Sequence, residues 1–419
     1  MAPNPHTEAP EIAPNIPREI GRLSGLREVQ AAFAWLRAQE PQFAHWQLEI
    51  ARIPAPPFGE GARSQWLRDR YQELGLENVH TDELGSVFGV RPGTSKHCIA
   101  LSAHIDTVFP AGTPLNIRQQ GSRLYGPGVA DNSAGITALL AMAAVLRACQ
   151  ISHSFSILFI GNVGEEGEGD LRGMRHIFAD PVYRDSIRYN LILDGAGADT
   201  IVAEALGSRR FEVIVRGPGG HSWSDFGVPN PIVTLARTIR TFTQTPVPAS
   251  PKTAFNIGVI RGGTSVNSIP ESASMRVDIR STSMAEMERL ERALRESLDL
   301  AIEEESRSGS GRSASKRPSG LNSEIIGIGN RPAGELNSNA RILQVVRGVD
   351  AHLGNVAQVQ RASTDANIPL SLGLEALAIG GGGTGGGAHT LQEWFDCSGR
   401  ELGLKRILLT LLALPGAIE

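Results

Sequence analysis

The chain reads as an α/β protein with a smaller α+β unit set into it, and three observations carry that reading. Short apolar runs alternate with helical stretches over the first half, the signature of a largely parallel sheet. Between about 208 and 330 the order changes to β-α-β-β-α-β, the split βαβ arrangement of a compact two-layer domain. Beyond residue 334 the α/β alternation resumes, so the C-terminal third completes the first sheet. A chain of 419 residues suits two domains of unequal size.

The N-terminus, MAPNPHTEAPEIAPNIP, is Pro-rich and acidic and lacks the apolar stretch of a secretory signal, so residues 1–24 are expected to form a flexible tail. Apolar residues recur at helical spacing over 26–50, and Pro54, Pro56 and Pro57 forbid continuation. A second helix over 62–74 stops at Gly75. A buried strand follows at Cys98-Ile99-Ala100-Leu101, then a helix at 133–148, a strand at 155–160, a helix at 171–178 and a strand at Leu191-Ile192-Leu193.

Past Gly207, residues 209–215 alternate as a half-exposed strand should, and 232–241 is helical. Strands at 255–260 and 273–279 flank the loop Gly262-Gly263-Thr264-Ser265-Val266-Asn267. A helix at 285–302 and a strand at 324–328 close the unit. Between them, 306–320 is Ser/Gly/basic with almost no apolar content and reads as a mobile connector of no assigned function. A helix at 340–353, a strand at 375–379 and a helix at 400–414 finish the chain.

Composition excludes several functions. Apolar residues make up 41% and charged residues 20%, far from a disordered balance. Forty basic against forty-four acidic side chains give a charge of −4, which argues against nucleic acid as a partner. Cys98, Cys149 and Cys397 lie far apart with no C-x-x-C, so neither a disulfide framework nor a cysteine zinc site is expected. No apolar run approaches the ~20 residues of a membrane helix. These features predict a soluble, cytoplasmic protein with no membrane partner.

The acids and histidines that stand out follow strand candidates, where open α/β sheets bind ligands. His104 and Asp106 share a side of extended chain, so Asp106 could orient a metal-bound His104; a plain surface pair is the alternative. Asp131 lies in the glycine-rich turn Tyr125-Gly126-Pro127-Gly128-Val129-Ala130-Asp131, where helix capping and metal binding are both open. Glu165, Glu166, Glu168 and Asp170 crowd among glycines directly after an apolar strand and need cations or water to offset their repulsion. Asp194 ends another apolar strand, and His389 closes a run of seven glycines and one threonine from Gly380 to Gly387. Histidines and carboxylates without cysteines suit Zn²⁺, with Mn²⁺ or Co²⁺ as alternatives. A pair of ions needs a bridging carboxylate and about two further ligands each, which His104, Asp131, Glu166, Asp194 and His389 can supply.

In order along the chain stand SAHIDTVFP, LYGPGVADNSAG, GNVGEEGEGDLRG, LILDGAG, RGPGGHSWSDFG, GGTSVNSIP, STDANIPLSLG and GGGGTGGGAHTLQEW. This ordered set resembles the aminoacylase/carboxypeptidase G/peptidase T family of co-catalytic zinc metallopeptidases, and most of all its peptidase T-like members. The resemblance implies a phosphorylase/hydrolase-like three-layer catalytic domain, 25–207 plus 331–419, and an inserted lid/dimerisation domain at 208–330. It implies two Zn²⁺ per subunit, with His104 and Asp194 on one, Glu166 and His389 on the other, and Asp131 between them. It further implies a cis Asp131–Asn132 peptide, Asp106 orienting His104, and Glu165 as general base. His221 would stabilise the oxyanion, and Asn267 and Arg280 would grip the substrate's carboxylate or backbone. A homodimer formed through the inserted domain is part of the same expectation. In this chain Asn132 follows the bridging acid where many relatives carry a second acid, so Asn132 is not expected to bind metal.

The expected reaction is hydrolysis of a peptide or related amide bond in a small peptide or N-acyl amino acid. A serine hydrolase is disfavoured by the lack of G-x-S-x-G. A dinucleotide enzyme is disfavoured because residues 380–387 open no helix. The alternative that stays open is a catalytically inactive metal-binding or regulatory homologue, against which Glu165 and His221 speak.

Overall fold

In the computed structural model, which describes residues 12–310 and 320–416, the apolar runs of the first half lie side by side. The strands Ser156–Asn162, Cys98–His104, Ile187–Leu193 and Ala376–Ile379 are adjacent in that order and parallel. Their residues are almost all buried, as a sheet covered on both faces requires. The flanking strands Val87–Arg91 and Thr200–Ala205 run antiparallel to this centre. The sheet, nine strands among the described residues, is therefore parallel in its middle and mixed at its edges.

Alternation along each strand feeds two cores. Ile99, Leu101 and Ala103 join one apolar cluster, while Ala100 joins another with Leu158 and Ile160. Helix Ser133–Ala148, buried from Ser133 to Leu146, lies between the sheet and the helices Arg27–Ala38, Glu40–Ala51 and Arg400–Ala413. Helix Arg172–Ala179 covers the opposite face through Met174, Ile177 and Phe178. Three layers result. Among the described residues no helix is long and apolar enough to cross a membrane.

A second compact unit comprises Leu206–Ala333. Its four long strands are antiparallel in the order Thr253–Gly262, Ser272–Ser281, Gly207–Arg216, Asn322–Arg331. One face carries Phe211, Val213, Val215, Met275, Val277 and Ile279 against the helices Pro231–Phe242 and Met284–Ser310. The β-α-β-β-α-β order expected from the sequence is the order of these elements.

Three local expectations differ from the structure. Residues 15–24, expected as tail, form the helix Asn15–Ser24 with Ile16 and Ile20 buried. Gly348 admits them: a Cβ there would stand 2.9 Å from both isoleucines. Pro17 is tolerated because first-turn N–H groups have no helical acceptor. The single helix expected over 26–50 is two, broken at Gln39 just ahead of Pro41, whose ring fits only a first turn. Most of the 306–320 connector lies outside the described residues, and helix Met284–Ser310 extends into its start. Also unforeseen is a small antiparallel sheet of Arg118–Gln120, Arg123–Tyr125, Trp394–Asp396 and Thr384–Gly386.

Ile20→Ala should destabilise the protein by about 2–5 kcal/mol, as buried large-to-small changes do, read as a lower denaturant midpoint. A loss below about 0.5 kcal/mol, typical of surface sites, would return this segment to a dispensable tail.

Candidate metal centre

His104 is the last residue of its strand, Asp194 follows Ile187–Leu193 directly, and Glu165 and Glu166 lie just past Ser156–Asn162. Because these strands are parallel neighbours, their ends bring the four side chains to one edge of the sheet. Asp131 arrives on the turn before helix Ser133–Ala148, and His389 on the loop between Thr384–Gly386 and Trp394–Asp396. Ligand atoms of His104, Asp131 and Asp194 all fall within 4.8 Å of one another, as do those of Asp131, Glu166 and His389. A third set, His104, Glu165 and Glu166, meets the same limit. Asp131 stands between the imidazoles: Oδ1 lies 3.2 Å from His104 Nε2 and Oδ2 lies 3.1 Å from His389 Nε2. His104 Nε2 is 3.8 Å from Asp194 Oδ1, and His389 Nε2 is 3.1 Å from Glu166 Oε1.

Buried side chains hold these groups from behind. Asp106 accepts the backbone N–H of Glu165 at 3.0 Å and of Glu166 at 2.8 Å, and lies 3.6 Å from His104 Nδ1. One carboxylate thus fixes both an imidazole and the turn that presents two glutamates. Asn132 accepts from the N–H of Gly135 and Gly195 and donates to the Leu193 carbonyl. It ties the Asp131 turn to the strand end that presents Asp194. The Asp131–Asn132 peptide is cis.

The glycine run is explained by packing. A Cβ on Gly380 would stand 2.4 Å from the Ala196 carbonyl oxygen, and one on Gly382 (φ +88) 2.5 Å from that of Arg400. Only glycine lets this backbone pass so closely between its neighbours on the way to His389.

The electrostatics of the cluster suit divalent cations. Burial opposes a charge on His104, but Asp106, Asp131 and Asp194 outweigh it and hold its pKa well above the ordinary value. Asp131 and Glu166 push His389 up to about 10. Asp131, although buried, is held well below the usual carboxylate range by the two imidazoles. In the metal-free chain, imidazole protons therefore supply the positive charge that the carboxylates demand. Even so, Asp131 Oδ1 is buried with no well-aligned hydrogen bond, its neighbour being His104 Nε2 at 3.2 Å. A carboxylate oxygen so placed at the centre of a nitrogen and oxygen donor set fits divalent cations of the zinc type.

Three residues that the sequence reading missed surround the cluster. Asp365 is fully buried, accepts from Asn162 Nδ2 at 2.7 Å, and is pushed up to about 7 by burial against the pull of His104. Glu393, also fully buried, accepts three backbone N–H bonds from the Asp131 turn. Arg63 donates to the carbonyls of Ile53 and Ile105; burial lowers its pKa to about 10, against the charges of Asp106 and Glu393.

His221, Asn267 and Arg280 lie on the second unit. His221 is exposed and pairs in register with Ser268, and the Ser222 N–H donates to the Asn267 carbonyl, so His221 and Asn267 sit together. Arg280 is near the far end of Ser272–Ser281, ion-paired with Asp278 at 2.7 Å. About 25 Å of extended strand separates Arg280 from the Asn267 end, at roughly 3.3 Å per residue. One copy of the unit cannot close both residues on the same small carboxylate.

Fold and cluster together define an α/β protein with histidines and carboxylates gathered at its strand ends, close enough to hold divalent cations. The chain belongs to peptidase family M20/M25/M40, whose model matches residues 100–413. It is 30% identical over 203 residues to a protein described as a probable carboxypeptidase from Aspergillus clavatus, covering 43% of this chain and 44% of that one. This chain thus spans less than half of that relative's length. Aminopeptidase PepT from Bacillus cereus has the same fold, with a TM-score of 0.70 at 20% identity over 90% of this chain and 99% of that one. So does the YXEP protein of Bacillus subtilis, a dinuclear metal-binding peptidase of the M20 family, with a TM-score of 0.64 at 15% identity over 90% and 99%. The family resemblance read from the sequence is borne out.

Zinc titrated into the metal-free protein near neutral pH should release protons, because both imidazoles carry a raised pKa and must lose their protons to bind. Affinity should accordingly fall as pH is lowered. A weakly buffered titration in which pH stays constant would contradict the cluster's role.

Proposed function

We propose that this chain is a metal-dependent hydrolase that cleaves a peptide or related amide bond in a small peptide or N-acyl amino acid. The observation that carries this reading is the position of Asp131, shared by one set with His104 and Asp194 and another with Glu166 and His389. That arrangement would hold one ion on each side of a common carboxylate, and the YXEP likeness supports a pair. Zinc is the cation the donors suit best, with manganese or cobalt as substitutes. When bound, the pair supplies the Lewis acidity that makes a water nucleophilic at neutral pH.

The remaining work falls to the protein. Glu165, 4% exposed and grouped with His104 and Glu166, takes the proton of the attacking water and returns it to the leaving amine. Asp106 keeps His104 and the Glu165–Glu166 turn in place. His221 donates to the oxyanion that develops on the scissile carbonyl. Arg280, whose planar guanidinium already grips Asp278, is suited to a substrate carboxylate, and Asn267 to the substrate backbone. Because Asn267 and Arg280 stand so far apart on one unit, both can act on one small substrate only if two copies contribute. The exposed Trp223, Phe226 and Val266 beside His221 also support a homodimer formed through this unit. An inert metal-binding homologue would have no use for Glu165 or His221.

Glu165→Gln should lower kcat on di- or tripeptides or N-acyl amino acids by at least about 10²-fold while leaving metal content unchanged. Turnover near that of the parent would remove Glu165 from the reaction. Parent activity that survives exhaustive chelation would remove the metals.

A further inference from the structure

Glu393 belongs to none of the groups close enough to hold an ion among the described residues, yet it is fully buried at the back of them. Its Oε2 accepts the Gly128 N–H, and its Oε1 accepts those of Ala130 and Asp131, each at 2.7 Å. Its own carbonyl accepts the Gly126 N–H at 2.9 Å. The turn before helix Ser133–Ala148 thus wraps its amides around one carboxylate, an internal version of the backbone concavities that bind anions. Such charge-assisted bonds are short and strong. Glu393 also follows His389 by four residues in the loop ahead of Trp394–Asp396, whose Trp394 pairs with Tyr125. A single side chain therefore joins the turn that presents Asp131 to the loop that presents His389.

We infer that Glu393 is a positioning residue that holds Asp131 and His389 in mutual register and thereby sets the protein's affinity for divalent cations. The inference rests on the two-ion reading of the site. A glutamine could still accept from Ala130 and Asp131, but its NH₂ would face the Gly128 N–H, donor against donor. The turn that presents Asp131 would then shift from Gly128 onward while the apolar core stays untouched.

The test is calorimetric zinc titration of the full-length metal-free protein, parent against Glu393→Gln, with thermal melting of both metal-free forms. The expected result is zinc affinity lowered about 10–100-fold, the usual effect of losing a partner behind the ligands, with closely similar metal-free melting. A folded variant that binds zinc within about twofold of the parent would overturn the inference. So would a variant whose affinity falls only in proportion to lost stability. Should the variant fail to fold, amide exchange in the metal-free parent decides: Gly128, Ala130 and Asp131 should be protected, and rapid exchange there would overturn the inference. If the parent itself takes up no zinc, the two-ion reading fails, whereas unprotected amides sink Glu393 alone.

Discussion

Negative charge gathered at the end of a buried sheet is the constraint from which the rest of this molecule follows. Asp106, Asp131, Glu165, Glu166, Asp194, Asp365 and Glu393 converge within one region, most of them hidden from solvent. Left alone, such groups would repel and take up protons. The protein answers in three ways. Backbone N–H groups are aimed at Asp106 and Glu393, the buried Arg63 interacts electrostatically with both, and His104 and His389 face the remaining acids. Asp131 Oδ1 makes no well-aligned hydrogen bond even then, and the donor set around it suits a divalent cation.

The fold makes that concentration of charge reproducible. Parallel strands end together, so residues far apart in sequence are delivered to one edge without long mobile loops. Asn132 ties the Asp131 turn to the strand end of Asp194, and Asp106 ties the ends of two neighbouring strands, which means that a ligand cannot drift without disturbing another. The small antiparallel sheet that joins Tyr125 to Trp394 adds the last loop, that of His389, to the same scaffold. Chemistry therefore depends on rigid elements, with glycine placed where backbones must nearly touch.

Much of this was legible in the sequence because the signals were local. A buried strand such as Cys98–His104 advertises itself by an apolar run, and an acid or histidine placed just after it stands out. The helix Ser133–Ala148 coincides with the stretch expected from its apolar content. What was hidden depended on tertiary partners. Asp365 follows the polar strand Gln358–Ala362, whose exposed residues give no apolar signal. Glu393 looks like a loop acid until the amides of residues 128–131 are brought to it. Arg63 reads as a helix surface charge, and only its burial reveals otherwise. Ile16, Ile20 and Leu23 do carry helical spacing, but the prolines around them masked it.

On the proposed two-ion reading, Asp131 lies between two cations held by one chain. Anomalous diffraction from zinc-soaked crystals tests it most directly. Two peaks per chain are expected, one beside His104 and Asp194 and the other beside Glu166 and His389, with the Asp131 carboxylate between them. A single peak, or peaks away from Asp131, would contradict it.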